Sequence, residues 1–250
     1  MKELKLGRHK VEIYDSIEDL PMQRFHKYNK MLLVDAGIGS DMADFDRHIE
    51  KALVYNRQRK NDLAAVELDN MRQNVYFIQQ GISPKHLAFA VLVRKIDGEE
   101  CNDLSDDGLA KIVDRLSDVS VKDMTFSSEE VKKKIDDELR LYFPSLFDDV
   151  EVKEYYDLLR RRTLAVLQGI ITNKDTSEVD TLTDMLMTYN APHTFNGKDS
   201  VEIDYDKQFD RMCLIISQQL NVNPKQYTVM EYYNAYEYIR EMARKARKGK

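Results

Sequence analysis

The 250-residue chain contains no tryptophan, only two cysteines, five prolines and nine glycines. So few turn-forming residues argue against turn-rich sandwiches and barrels, and against a glycine-rich phosphate loop. Cys101 and Cys213 form no CxxC pair and no disulfide framework, so we expect free thiols in a reducing compartment. Helix is the expected secondary structure, and with 42% hydrophobic residues the chain can bury a real core.

The chain also lacks long hydrophobic runs. Residues 1–20 have no signal-peptide core, and no run approaches the roughly 20 apolar residues that span a bilayer. We therefore expect a soluble protein, made inside the cell, with no membrane contact. The net charge of −6 is unevenly spread, because the last eleven residues carry +5 and the remaining 239 carry −11. The sequence thus predicts an acidic body with a basic end.

Apolar residues at helical spacing predict a mostly α protein, built as a multi-helix bundle. Thr228 and Glu231 form a capping box before the last helix, and Ser127 and Glu130 predict another helix start after the polar stretch 117–126. The predicted helical segments are 21–37, 42–78, 105–116, 127–142, 154–171, 178–189, 203–220 and 228–248.

Three stretches leave alternatives open or point to β-structure. Leu4–Ile13 alternates apolar and polar residues around Gly7, which predicts a short hairpin or a strand that pairs elsewhere. Residues 86–96 fit a buried helix or one arm of a second small β element near 86–104, since a short apolar run does not distinguish them. Residues 42–78 fit an antiparallel helix pair or one long bent helix.

The clearest loop is residues 190–200, which contain Pro192 and Gly197. We interpret it as a boundary. The predicted organisation is a main helical domain at 1–189 with the N-terminal strand or hairpin, then this loop, then a helical hairpin at 201–250 that ends in the basic tail.

No catalytic, cofactor or metal motif is recognisable in the sequence. The five histidines are scattered, and neither cysteine lies near another candidate ligand. The GIGSD stretch, Gly37–Asp41, fails as a dinucleotide loop and is interpreted as a helix end followed by the cap of the next helix. His86 is expected to be a satisfied core histidine, and His193 an exposed one. We predict a protein that is not an enzyme and has no cofactor or metal, and an enzyme without a recognisable motif ranks last.

The last helix supplies the candidate interaction residues. Its tyrosines are too many for one stripe, so some are expected to meet another chain or another part of the fold, although core packing explains them equally well. Its basic end suits an acidic surface or nucleic-acid phosphates, and also the negative end of the helix dipole. The arginines at 160–162 are interpreted as a solvated flank. The candidate interface is Tyr232, Tyr233, Tyr236, Ile239 and Met242, and the candidate electrostatic contact is Arg244, Lys245, Arg247, Lys248 and Lys250.

Three segments of the chain resemble phage proteins. Val11–Ile49 (VEIYDSIEDLPMQRFHKYNKMLLVDAGIGSDMADFDRHI) and Ile82–Glu99 (ISPKHLAFAVLVRKIDGE) resemble segments encoded among the virion and head-to-tail genes of crAss-like phages that infect Bacteroides. Phe209–Glu241 is similar in style to helical phage morphogenesis proteins, including tail assembly chaperones.

The resemblance implies a structural virion protein, most concretely a ring or adaptor subunit of the head-to-tail connector. It also implies a homo-oligomeric ring with portal and tail components as partners, located in the virion and, during assembly, in the host cytoplasm. Two alternatives stay open. One is an assembly chaperone absent from the mature particle, and the other is a nucleic-acid-associated protein that acts through residues 244–250.

Overall fold

The computed structural model describes residues 1–119, 121–147, 150–172, 177–189 and 191–248. This part of the chain is mostly helical with two short antiparallel strand pairs, which confirms the predicted fold class. The helices are α1 Met22–Gly37, α2 Met42–Arg57, α3 Asn61–Gln80, α4 Pro84–Leu92, α5 Asp106–Arg115, α6 Val121–Tyr142, α7 Val150–Thr172, α8 Ser177–Tyr189, α9 Val201–Leu220 and α10 Val229–Lys248, and the strands are β1 Lys2–Leu6, β2 His9–Ile13, β3 Val93–Ile96 and β4 Glu99–Glu100.

The predicted N-terminal hairpin is present and does pair elsewhere. β1 and β2 are antiparallel, with Leu6 opposite His9, and Gly7 in the turn has a φ of 57°. A left-handed φ is readily adopted by glycine because it has no Cβ. β2 then pairs with β3, which pairs with β4, so the sheet order is β1-β2-β3-β4. Val11 and Ile13 are fully buried and hold the sheet against the helices.

Residues 86–96 contain both of the alternatives that the sequence left open. α4 begins where the Ser83 Oγ accepts a hydrogen bond from the His86 amide at 3.5 Å, and it runs directly into β3. The turn to β4 is formed by Asp97 and Gly98, which both have positive φ, the conformation that suits a tight hairpin turn. The predicted second small β element therefore exists, although it begins only after the helix.

A buried arginine joins α1 to this region. Arg24 is only 4% exposed, and its guanidinium donates to the carbonyl oxygens of Val91 at 2.8 Å, Val93 at 3.0 Å and also Cys101. Its Cζ lies 5.3 Å from the centre of the Tyr14 ring. These bonds satisfy carbonyls at the helix-to-strand junction, where regular pairing is interrupted. α1, α4 and the sheet are thereby held together.

The predicted start of α6 at Ser127 is wrong, because the helix begins at Val121. Ser127 lies inside it and is buried. The reason is that Met124, at 5% exposure, continues the buried stripe of Val131 and Ile135 by almost two further turns. Tertiary burial of that stripe thus outweighs the local capping signal. The predicted stop is confirmed, since α6 ends at Tyr142, just before Phe143 and Pro144.

The described chain divides into two compact units. Unit 1 comprises residues 1–139 and 193–250, and unit 2 comprises residues 140–192. This division differs from the predicted one in that residues 201–250 belong to the same unit as the N-terminal elements. One of its two boundaries does fall within the predicted loop at 190–200.

The start of α10 is tied to the start of α1, which explains this grouping. The Met22 amide donates to the Tyr227 carbonyl at 2.8 Å, and the Val229 amide donates to the Leu20 carbonyl at 2.9 Å. The predicted capping box is confirmed, because the Thr228 amide donates to Glu231 Oε2 at 2.9 Å and the Glu231 amide donates to Thr228 Oγ1 at 3.3 Å.

Candidate functional site

An exposed apolar surface runs along α7 in the described part of unit 2. Six large apolar side chains fall on one face of this helix, at spacings of one to five residues. Their exposed fractions run from 37% for Leu159 to 81% for Ile171. Arg160 lies on the same face and is also exposed. We call this surface the α7 stripe, and its apolar members are Tyr156, Leu159, Leu164, Leu167, Ile170 and Ile171.

The opposite face of α7 is used by α8. Arg162 donates to Thr183 Oγ1 at 2.8 Å, and the Tyr189 hydroxyl donates to Glu154 Oε2 at 2.8 Å. The Tyr155 and Tyr189 rings lie 6.2 Å apart in an edge-on arrangement. Among the described residues of unit 2, α8 thus covers one face of α7 and leaves the α7 stripe open. The expectation that the arginines at 160–162 form a solvated flank holds for Arg160 and Arg161, which are exposed, and only partly for Arg162.

A second apolar surface lies in unit 1, between α2 and α3. These helices pack side by side as separate elements, which decides between the two predicted arrangements in favour of the helix pair. On one side they leave an open cavity of about 570 Å³. We call it the hairpin groove. It is lined by Phe45, Ile49, Ala52, Leu53, Asn56, Asn61, Ala64, Ala65, Leu68 and Met71.

α2 and α3 are also joined by a buried histidine–glutamate contact that the sequence did not predict. His48 and Glu67 are each 1% exposed, and His48 Nδ1 lies 2.6 Å from Glu67 Oε2. His48 Nε2 lies 2.9 Å from the Ile38 carbonyl oxygen. Both ring nitrogens therefore face acceptors, an arrangement that an imidazolium satisfies by donating from each. Lys51 Nζ lies 3.6 Å from the other Glu67 oxygen.

His48 and Glu67 are nineteen positions apart in the sequence and lie on different helices, so no local sequence motif predicts their contact. Asn74 adds to the same polar centre by donating to the carbonyl oxygens of Ile38 at 3.2 Å and Asp41 at 3.3 Å. The GIGSD turn is thereby fixed between α1 and α3. Its predicted role as a helix end and cap is confirmed, since Asp41 Oδ1 accepts from the Asp44 amide at 2.9 Å.

The predicted interface residues of α10 have different environments. Tyr232 is 5% exposed and faces its own chain, with its ring 6.0 Å from Phe209 and 5.5 Å from Tyr233. Tyr233, Tyr236 and Ile239 are half-buried, and Met242 is 53% exposed. Burial raises the pKa of both Tyr232 and Tyr233 above the ordinary tyrosine value. The first turns of the helix thus belong to the core, and its later turns face solvent.

The aromatic cluster that receives α10 also includes a histidine. His26 stacks on Tyr205 at 4.6 Å and on Phe209 at 4.1 Å, and its Nε2 lies 2.8 Å from Asp206 Oδ1. Burial lowers the pKa of His26 despite this carboxylate. Burial would raise the pKa of Asp206, but hydrogen bonds from Lys30 and His26 outweigh it, and that pKa lies below its ordinary value. The cluster joins α1, α9 and α10.

The structure describes both the backbone and the side chain of two of the five predicted electrostatic residues. Arg244 and Lys245 are exposed, and Lys245 lies 3.9 Å from Glu241 one turn earlier. The side chains of Arg247 and Lys248, and the whole of Lys250, fall outside the described residues. The exposed basic turn is compatible with an electrostatic contact, which stays a prediction.

A small cavity of about 150 Å³ between α1, α4 and α6 contains titratable groups. Asp35 Oδ1 is buried there without a hydrogen bond, and Lys85 Nζ lies 3.8 Å from the other oxygen. Burial raises the pKa of Asp35.

Burial and, to a smaller extent, the nearby charge of Lys85 lower the pKa of His86. His86 is only half-buried and forms no ring hydrogen bond within the described chain, so the expectation of a satisfied core histidine is wrong. His193 is exposed, as predicted.

Both cysteines are free thiols, as predicted. They are also buried, and burial raises the pKa of each. Over the described ranges, no three His, Cys, Asp or Glu side chains are grouped to hold a metal ion. Within the same ranges, every helix falls short of the length and apolar character needed to cross a membrane. No protein-family model, curated protein or solved structure matches the chain.

Proposed function

We propose that the protein is a non-enzymatic structural subunit that assembles with copies of itself and with other virion proteins. Most concretely, it is a ring or adaptor subunit of the head-to-tail connector of a tailed phage, with portal and tail proteins as neighbours. The observation that carries the proposal is the α7 stripe. Contiguous apolar surface of this kind marks sites of protein–protein contact.

Burial of the α7 stripe in an interface is energetically favourable. Each large aliphatic side chain that moves from water into an interface contributes about 1.5–3 kcal/mol when it is fully buried. Leu164 and Leu167 are each 49% exposed, and Ile170 is 73% exposed. In an isolated chain the side chains of the α7 stripe stay in water over four helical turns. Their burial stabilises the protein only when it assembles. The resemblance of three segments to phage virion and morphogenesis proteins supports the more specific assignment.

Light scattering on the purified protein tests the assembly part of the proposal. The expected result is a mass that rises with concentration to a multiple of the 29.3 kDa chain. A variant with Leu167→Glu should remain at the chain mass, because a buried carboxylate without a partner strongly disfavours the contact. A wild-type protein that stays monomeric at high concentration would contradict the proposal.

An assembly chaperone is the first alternative, since it would use the same exposed apolar surface only during morphogenesis. Quantitative mass spectrometry of infected cells and of purified particles separates the two. A connector subunit is retained in the particle at a fixed copy number, and a chaperone is found in the cells alone.

A nucleic-acid-associated protein is the second alternative, and the exposure of Arg244 and Lys245 favours it. Binding through a few lysines and arginines neutralises phosphates and weakens steeply with salt. A gel shift at low salt that disappears when residues 244–250 are deleted would support this function. If the full-length protein gives no gel shift even at low salt, the nucleic-acid-associated function is contradicted.

A further inference from the structure

We infer that β1 of one copy pairs antiparallel with β1 of a second copy across a two-fold axis, with Leu4 opposite Leu4. The inference goes beyond the proposed function, because it assigns a second contact, on unit 1, that does not use the α7 stripe. β1 lies at one end of the sheet, so β2 covers only one of its two edges. An extended partner adds to such an edge through main-chain hydrogen bonds.

The backbone groups that face the open edge of β1 belong to Glu3 and Lys5. In an antiparallel pair, alternate residues bond to the partner strand and the residues between them face the other way. Lys10 lies opposite Lys5 and bonds away from β1, since its carbonyl accepts from the Asp97 amide at 2.8 Å and its amide donates to Asp97 Oδ1 at 2.9 Å. Lys5, and Glu3 two residues earlier, therefore face the open edge. Across the described residues, β1 has no backbone hydrogen bond to any element other than β2.

The charges of β1 select one register for a second copy. The outward backbone groups meet in antiparallel pairing when Glu3 faces Glu3, when Lys5 faces Lys5, or when Glu3 faces Lys5. The first two registers put like charges opposite each other, which destabilises a cross-strand pair. Parallel pairing of identical strands in register does the same. In the third register both Glu3–Lys5 pairs join opposite charges, and each pair exchanges both of its backbone hydrogen bonds.

The neighbouring charges on β2 favour the same register. Lys10 lies opposite Lys5 and Glu12 opposite Glu3, so each charge of β1 has a like charge on its covered side. Glu3 Oε2 lies 2.8 Å from Lys10 Nζ on the diagonal, whereas Lys5 forms no ion pair with any residue that the structure describes. Glu3 of a second copy supplies the carboxylate on the open side of Lys5.

The inner face of the strand contains no conflict in this register. Leu6 is 5% exposed there, and Leu4 is half-buried. The two copies of Leu4 meet across the axis, and Lys2 lies opposite Leu6. Lys2 keeps its own ion pair with Glu130 on α6. No two like charges are therefore directly opposite each other across the axis.

β4, at the other end of the sheet, is a weaker candidate partner for β1. It consists only of Glu99 and Glu100, and two residues can pair with only a small part of β1. Pairing of β1 with itself uses all five residues of the strand. The contact joins the same surface of both copies, so it closes as a two-fold pair.

The contact is small. Five residues from each copy compare with the roughly 20–30 per side of a standard interface. The pairing is therefore transient between free chains, and it becomes stronger where an assembly raises the local concentration of copies. A crosslink that traps the pair measures it better than the mass of the dilute protein does.

A disulfide at position 4 tests the pairing. Leu4 faces its own copy as a non-hydrogen-bonded pair with the Cα atoms about 4.5 Å apart, a separation that a disulfide bridges. Lys5→Cys is the matched control, because that position is more exposed but lies diagonally from its own copy. The natural cysteines are buried. Circular dichroism checks folding, diamide oxidises the thiols, and non-reducing electrophoresis measures the covalent dimer. Leu4→Cys should dimerise about tenfold faster than Lys5→Cys, because only its thiols are directly opposite.

Charge changes on the Leu4→Cys background give a second readout. Glu3→Lys and Lys5→Glu should each slow dimer formation about tenfold at low salt, since like charges then face each other. An equal mixture of the two should recover the rate, because the lysines of one copy face the glutamates of the other. The same order of rates is expected with Leu167→Glu added, which separates this contact from the proposed use of the α7 stripe.

Three results would overturn the inference. One is a Leu4→Cys protein that dimerises no faster than Lys5→Cys. Another is a mixture of the two charge variants that does not recover, with both variants folded. The third is a crosslink between Lys5→Cys and Glu100→Cys copies in the absence of a Leu4→Cys dimer, which would identify β4 as the partner of β1.

Discussion

Unit 1 has an extensive buried core, whereas unit 2 combines a small one, in which Phe143 and Leu182 are at most 2% exposed, with a long exposed face on α7. In unit 1 the bulky side chains of Tyr28, Phe89 and Leu92 are less than 2% exposed. In unit 2, α7 buries one face against α8 and leaves the α7 stripe open. The first pattern is that of a closed core, whereas the second leaves apolar surface open, as sites of protein–protein contact do. On the proposed function, stability depends mainly on unit 1 and assembly on unit 2.

The largest expected effect comes from truncating the core of unit 1. Phe89→Ala should lower the free energy of unfolding by about 3–5 kcal/mol, because it removes a buried ring and leaves a cavity. Leu167→Ala on the α7 stripe should cost less than about 0.5 kcal/mol in the monomer, since the side chain already faces water. Urea titration followed by circular dichroism measures both. Equal losses would remove the distinction between the two units.

The buried His48 and Glu67 pair should show the next effect. His48→Leu removes the hydrogen-bond partner of Glu67 Oε2 inside the protein and should cost about 1–3 kcal/mol, the usual result of leaving one buried polar group unpaired. Replacing both residues by leucine should restore most of the stability, because neither partner is then left buried without its hydrogen bond. The exposed pair Asp69 and Arg72, 3.3 Å apart, is the control, and Asp69→Ala should cost less than about 1 kcal/mol. A double variant no more stable than His48→Leu would show that the pair is itself stabilising.

The capping box of α10 should make a smaller contribution. Thr228→Ala removes the hydroxyl that accepts from the Glu231 amide and should cost about 1 kcal/mol. Thr163→Ala on α7 is the matched control, because that hydroxyl only donates to the Leu159 carbonyl of its own helix at 2.9 Å. Thermal unfolding should show a lower midpoint for the first variant and little change for the second.

Acidification should weaken the aromatic cluster of unit 1. The pKa of His26 is lowered in the folded state from the ordinary value of 6.5, so the unfolded chain binds the proton more readily. The stability it contributes is complete above that value and is lost as the pH falls below it. The pKa of Asp206 is also lowered in the folded state, so stability falls further when Asp206 becomes protonated at lower pH. His26→Phe keeps the stacked ring but removes the proton site, so its unfolding free energy should fall less between about pH 7.5 and 5.

Local signals in the sequence predicted much of the fold. The Thr228 capping box, the Gly7 hairpin and the stop at Phe143 and Pro144 depend on neighbouring residues, and all three are present. The start of α6 was missed because burial of Met124 extends the helix beyond its local cap. The His48 and Glu67 pair was missed because it joins two helices.

The candidate surface was harder to predict than the fold. The apolar residues of α7 suggest a single amphipathic face when they are taken together. In the structure they divide between a side that meets α8 and the exposed α7 stripe. Which face is covered depends on where α8 packs against α7, and the apolar spacing within one helix does not give that position. The tyrosines of α10 raised the same question, and Tyr232 proved to pack within its own chain.

The central claim is that the protein is a lasting component of an assembly. Quantitative mass spectrometry of purified phage particles tests it most directly, with particles made from wild-type protein and from the Leu167→Glu variant. We expect a fixed number of wild-type copies per particle and loss of the variant from particles. Wild-type protein that is abundant in infected cells and missing from the particles would contradict it.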